Sequence, residues 1–159
     1  MPNLDDPHYD EPRARDGFRS LRARLGRQLG TERLGISQWE IPPGEAAYPY
    51  HYHLGEEELL IVLEGRPVLR APSGTRELAE GELVALLPGE AGAHQLINRT
   101  ESAVRFLAIS TNGEPDIVVY PDSDKALVRD SKPDRDAFRA MFRLADAVDY
   151  WLDEQPPTQ

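Results

Sequence analysis

The feature that most constrains this chain is its punctuation. Between residues 34 and 120, short runs rich in β-branched and aromatic residues alternate with turns built on Pro and Gly. The run 34–41 stops at Pro42-Pro43-Gly44, 46–53 at Leu54-Gly55, 58–63 at Glu64-Gly65, and 67–71 at Pro72-Ser73-Gly74. Runs 75–79 and 83–87 stop at Glu80-Gly81 and Pro88-Gly89, and 94–98, 103–110 and 115–120 complete the series. Many short strands at this spacing predict an all-β sandwich or barrel. No helical segment interrupts them, which argues against a parallel βαβ architecture.

The flanks read differently. Residues 1–16 are rich in Pro, Asp and Arg, lack apolar periodicity and are expected to lie as a loose arm. Leu21, Leu25 and Leu29 follow at four-residue spacing and suggest a short amphipathic turn or helix, which Gly26 weakens. Near the other end, Asp134 is a candidate N-cap, and Phe138, Met141, Phe142, Ala145 and Val148 keep a helical period. A helix over residues 135–151 is therefore expected, its apolar stripe packed on the β-domain or on a partner subunit. The resulting division is an arm over 1–30, one β-domain over 31–122 and a tail over 123–159. At 159 residues the chain has the length of one domain.

Charge and cysteine content narrow the function. With a formal net charge of −10, the folded body repels phosphate backbones, so nucleic acid is not an expected partner. Arg13, Arg15, Arg19, Arg22, Arg24, Arg27 and Arg33 make one basic stretch. It reads as an RNA- or anion-binding arm or, preferably in so acidic a chain, as a solvated segment that pairs with acidic surface or a second subunit. No cysteine is present, so any metal must be held by His and carboxylate. The longest apolar run, residues 59–63, is far too short to span a bilayer, and no signal-like segment opens the chain. A cytoplasmic location and no membrane partner are the expectation.

His51 and His53 stand two apart in a strand-like run, which points both imidazoles to one face. Neighbouring imidazoles on an inner face leave ring nitrogens to satisfy, and a shared cation satisfies them. Glu56, Glu57 and Glu58 open the next strand. Two of these read as solvated turn residues, and one could turn inward as an oxygen ligand. His94 opens a later strand and says little by itself.

Together these residues resemble the cupin family. Gly44, His51-Tyr52-His53, Glu58 and Gly65 are similar to the first cupin motif, and Gly81, Pro88, Gly92-Ala93-His94 and Asn98 to the second. There are departures: Gly44 lies one residue further from His51 than the motif has it, Pro88 is one position late, and the turn from Pro88 to His94 is long. The resemblance covers residues 34–120. Residues 106–111 and 121–125 are further similar to a group of small single-domain bacterial cupins. The resemblance implies a double-stranded antiparallel β-barrel enclosing one divalent transition metal on His51, His53, Glu58 and His94. Spacing to the closing Gly65 selects Glu58 over Glu57. Fe or Mn is favoured, with Zn or Ni as alternatives.

Three His and one Glu leave up to two positions of an octahedral ion open. That suits a metal-dependent enzyme acting on a small oxygen-rich molecule, as a dioxygenase or as a sugar or sugar-phosphate isomerase. A non-catalytic protein that binds or senses a sugar or carboxylate is the alternative, and a metal that only locks the barrel is a third. Gln95 and Arg105, near the second motif, are candidate substrate contacts, though exposed strand positions explain both. The resemblance also implies a homodimer, for which Tyr48, Tyr50 and Tyr52, expected opposite the ligands, could supply the surface.

Overall fold

The punctuated runs become strands. The computed structural model describes residues 1–113, 115–130 and 138–157. Its elements are β1 (Glu11–Arg13), β2 (Ser20–Ala23), α1 (Leu25–Leu29), β3 (Gly35–Ile41), β4 (Tyr52–His53), β5 (Glu58–Glu64) and β6 (Val68–Ala71). There follow β7 (Gly74–Glu77), β8 (Leu83–Leu86), β9 (Gln95–Ile97), β10 (Val104–Ser110), β11 (Asp116–Tyr120), β12 (Lys125–Arg129) and β13 (Arg139–Arg143). All named pairings are antiparallel.

The strands make three sheets, ordered β1-β2-β3-β10-β5-β8, β13-β12-β11-β4 and β7-β6-β9. Single bridges Ala46↔Ile97 and His51↔His94 tie the two smaller sheets together along residues 46–53. Between those bridges lies Pro49, which has no N–H to donate, so the ladder cannot run through. The arrangement is thus two facing β-layers, and among the described residues hydrogen bonding does not close them into the expected barrel. The core lies between the layers. Trp39, Ile41, Leu60, Val62, Leu86, Val104 and Phe106 from the large sheet pack on Ala47, Tyr48, Leu69 and Leu96 opposite.

Both flanks depart from expectation. Within the stretch expected to be loose, residues 11–13 form β1, and residues 20–23, expected to open a turn or helix, form β2; β1 pairs β2 and β2 pairs β3, which extends the large sheet. Glu11, Arg13, Ser20 and Arg22 take one face, and so few alternating residues, all polar, leave no hydrophobic period to read. Arg24 follows, and α1 is a short five-residue helix. Gly26 allows its close approach, since a Cβ there would lie 2.9 Å from the Ile36 nitrogen.

The helix expected over 135–151 does not form where the chain is described. Residues 139–143 are β13, paired with β12 from Lys125↔Arg143 to Arg129↔Arg139, and residues 144–146 make a single 3-10 turn. Asp134 and residues 135–137 lie outside the described residues. The apolar stripe stays largely uncovered, with Phe138, Met141, Phe142 and Val148 exposed. Cross-strand pairing with β12 outweighs the helical period.

Gly65 closes the turn after β5 at φ +80°, and a Cβ there would sit 2.8 Å from Val104 Cγ1 in the core. Gly81 has nearly the same φ, +79°, with nothing within 4 Å of its Cβ position. Gly81→Ala is expected to cost about 1–2 kcal/mol for the left-handed backbone, and Gly65→Ala clearly more, because Val104 must also shift. Urea denaturation of both variants checks the order.

Candidate metal centre

Three backbone devices bring the histidines and Glu58 together. The extended segment before β4 points His51 and His53 to one side, as the two-residue spacing requires. Reciprocal bonds, His51 N to His94 O at 3.1 Å and His94 N to His51 O at 2.8 Å, set His94 directly across from His51. Their rings lie 4.6 Å apart, and His53 lies 5.0 Å from His51. From the facing layer β5 brings Glu58, on the same strand face as the buried Leu60 and Val62, while Glu57 points out and is exposed.

Each ring is oriented by its Nδ1. Nδ1 of His51 donates to Pro49 O (2.9 Å), that of His94 to Gly92 O (3.0 Å), and that of His53 to Asp116 Oδ2 (2.7 Å). Carbonyls and carboxylates only accept, so the Nδ1 atoms carry protons, and in its neutral form each ring presents a bare Nε2. Glu58 Oε2 lies 3.5 Å from His53 Nε2 and 3.4 Å from His94 Nε2. It is buried and accepts no hydrogen bond from any group of the protein.

His51, His53 and Glu58 each offer a ligand atom within 4.8 Å of the others, and His94 joins them through the same Glu58 oxygen. A divalent transition ion fits this donor set. Imidazole lone pairs and a carboxylate oxygen gathered in one buried spot repel each other unless a cation is shared.

Electrostatics agree. Burial, then the neighbouring His94 and His53 rings, hold His51 well below the ordinary histidine range. Burial likewise pushes His94 down to about 4. For His53 burial also opposes charge, but the Asp116 hydrogen bond with the Glu58 and Asp116 charges prevails and its pKa rises. Burial raises Glu58, only partly offset by His53.

A second set of candidate ligands, His53, Glu56 and Asp116, adjoins the first. Its cation is already present in the protein: the Arg129 guanidinium contacts Glu56 Oε1 at 2.8 Å and Asp116 Oδ2 at 3.1 Å. Glu56 is therefore not the solvated turn residue expected but is 4% exposed and ion-paired. Asp116 and Arg129, which adjoin the cluster through His53 and Glu56, are residues that the sequence reading misses. Alternation through β11, which sets Asp116 with Val118 and Tyr120, is the signal that could have found the first of them.

Other expectations shift. Tyr48 is not opposite the histidines. Its buried ring packs edge-on against His51 (4.9 Å) and His94 (5.5 Å), because Pro49 breaks the alternation. Tyr50 instead carries the Arg70 guanidinium 4.1 Å above its ring. Neither candidate substrate contact joins the cluster. Gln95 is buried and donates to Tyr48 O at 3.0 Å, and Arg105 pairs with Glu64 at 2.6 Å, on the face of β10 opposite the core residue Phe106. A cavity of about 230 Å³ lined by Leu34, Glu57, Leu59, Ala85 and Ile109 includes Glu58 but none of the histidines.

The His94 shift has a consequence for the metal-free protein. Its pKa falls from 6.5 to about 4 on folding, so the unfolded chain takes up a proton first as the pH drops. The stability this group contributes is complete above pH 6.5 and is lost between 6.5 and 4, roughly 3 kcal/mol in all. Denaturation of apo wild type across that window is expected to show a steeper loss than apo His94→Gln.

The sequence and fold place this site among known proteins. Residues 37–110 match the family model of the cupin domain. The chain is 29% identical to a candidate sugar phosphate isomerase from Acidithiobacillus ferrooxidans, with a TM-score of 0.73 over 83% of this chain and 81% of that one. A cupin-superfamily sugar phosphate isomerase from Silicibacter pomeroyi shares the fold at 24% identity, TM-score 0.78, over 92% and 94% of the two chains. The polyketide cyclase RemF from Streptomyces resistomycificus is 25% identical, with a TM-score of 0.57 over 73% and 82%. No curated protein matches the sequence. A cupin domain spans residues 37–110, and the chain is similar in fold to cupin-superfamily proteins.

Proposed function

We propose that His51, His53, Glu58 and His94 hold one divalent transition metal, Fe or Mn in preference to Zn or Ni, in an enzyme acting on a small oxygen-rich molecule. The observation that carries this reading is the buried Glu58 Oε2, left without a hydrogen bond between the Nε2 atoms of His53 and His94. An ion held by these four residues would supply Lewis-acid polarisation of a carbonyl or hydroxyl.

The chain's own residues do the rest. Glu58 lowers the charge of the centre, and the Nδ1 partners of the three histidines hold the rings in the ligating orientation. Tyr48 closes the core side of the cluster, and Tyr120 lies against the His51 ring at 5.9 Å. Isomerisation of a sugar or sugar phosphate is the preferred reaction, supported by the similarity to the Acidithiobacillus ferrooxidans protein. Oxygenation is the second enzymatic reading, and binding without turnover is the alternative outside catalysis.

A homodimer is part of this proposal, supported by the exposed Met141 and Phe142 on the edge strand β13. Light scattering at a given protein concentration reads it directly. A cytoplasmic setting suits a chain without cysteine, and no helix among the described residues is long and apolar enough to cross a membrane.

Elemental analysis of protein purified without a metal-affinity tag is expected to find about one equivalent of Fe or Mn. His51→Ala is expected to lose both metal and aldose–ketose turnover while its far-ultraviolet circular dichroism stays that of the wild type. Turnover that survives loss of the metal would overturn the mechanism. Asp116→Asn, which removes the carboxylate behind His53, is expected to weaken metal affinity about 10–100-fold, read by competition with a chelating dye.

A further inference from the structure

The arginines of the first two strands lie on the inner face of the large sheet, the face that carries Glu58. The registers Glu11↔Arg22, Arg22↔Trp39, Trp39↔Phe106 and Phe106↔Val62 run across the large sheet and place Arg22 on the same face as Val62 and, four residues back along β5, Glu58. Arg13 shares that face, two residues from Glu11. Both guanidinium groups lie over the Trp39 ring, at 4.6 and 4.9 Å. Trp39 meets the ring of Tyr48 at 5.5 Å, and Tyr48 meets His51.

These cations are poorly neutralised. Glu11 is the one carboxylate contacted by Arg13 (3.8 Å) and Arg22 (3.4 Å) among the described residues, and Arg24 holds the same carboxylate at 2.6 Å. Their other bonds go to neutral oxygens, Arg13 to Ala47 O and Arg22 to Ser37 Oγ. Both remain partly open, with side chains 33% and 27% exposed. Burial, with the Arg24, Arg13 and Arg129 charges opposing Glu11, holds Arg22 down to about 10. In a protein of net charge −10, an inward-facing surplus of guanidinium is costly unless an anion arrives to meet it.

We propose that Arg13 and Arg22 form an anion subsite facing the histidine cluster, so that the substrate is a small oxygen-rich molecule carrying a phosphate or carboxylate group. The subsite rests on the reading of that cluster as the reaction centre. The arginines bind the anionic end, and the polarised oxygen lies toward Glu58 and the histidines. Trp39, with guanidinium groups over its ring, forms the floor between them.

Calorimetric titration of inorganic phosphate and of acetate into full-length wild type, Arg13→Gln and Arg22→Gln, with metal content measured for each, tests this. Wild type is expected to bind one of the two anions saturably, and both variants at least tenfold more weakly, with metal content unchanged. Tighter phosphate binding identifies a phosphoester, and tighter acetate binding a carboxylate. No saturable binding of either anion by wild type, or equal affinity in the variants, overturns the subsite while leaving the metal reading intact. Should wild type hold no metal, the metal reading fails on its own, and the same titration of the metal-free protein still decides the subsite. Arg22 is largely enclosed, so if its variant does not fold, the affinity of Arg13→Gln alone settles whether the subsite exists.

Discussion

One buried carboxylate oxygen organises this molecule. Glu58 Oε2 sits between two imidazole nitrogens, and nothing the protein offers donates to it. Most other buried polar side chains find partners: Asn98 donates to Ile41 O and Ser102 O, Asp116 is held by His53 and Arg129, and Gln38, whose Oε1 is also left open, still donates its amide to Leu4 O. A fold that satisfies those groups and leaves Glu58 open, beside three rings whose outer nitrogens are all tied down, has arranged a place for positive charge. The facing β-layers exist around it. Bonds between His51 and His94 join the two small sheets at that point, and β5 brings the acid from the opposite layer.

The same logic separates the two adjacent acidic groups. Glu56 and Asp116 could ligate a metal with His53, but Arg129 lies between them as a permanent cation. His53 therefore turns one nitrogen to a pocket already neutralised and the other to the pocket still open. Its tautomer follows from that division and not from the histidine itself. The first two strands add a third electrostatic element, where Arg13, Arg22 and Arg24 gather on Glu11. Their role in the sheet answers the question raised by a basic stretch in an acidic chain: several of these arginines pair within the subunit, Arg19 with Glu45 among them.

Much of this is legible in the sequence. Turns at Pro42-Pro43-Gly44, Gly65, Gly81 and Pro88-Gly89 delimit the strands because Pro and Gly act locally, whatever surrounds them. Glu58 is separated from Glu57 in the sequence by the spacing to Gly65 that the family resemblance supplies, and in the structure β5 turns Glu58 inward and leaves Glu57 exposed. The failures share a cause in long-range pairing. Strands β1 and β2 are too short and too polar to show a period, and β13 carries a helical period that its partner β12 overrides. Asp116 and Arg129 lie far along the chain from His53 and Glu56, and the β4–β11 and β11–β12 registers together bring them there. Tyr48 falls on the side opposite to the one that alternation predicts, because the ladder stops at Pro49.

The most direct test of the account is X-ray absorption at the metal edge of protein loaded with one equivalent of Fe(II) or Mn(II). The account predicts stoichiometric uptake and a coordination sphere with three imidazole nitrogens and one carboxylate oxygen, at about 2.0–2.2 Å. Failure to take up the ion, or a sphere lacking the imidazole scattering pattern, would contradict the claim that Glu58 and the three histidines were assembled for a metal.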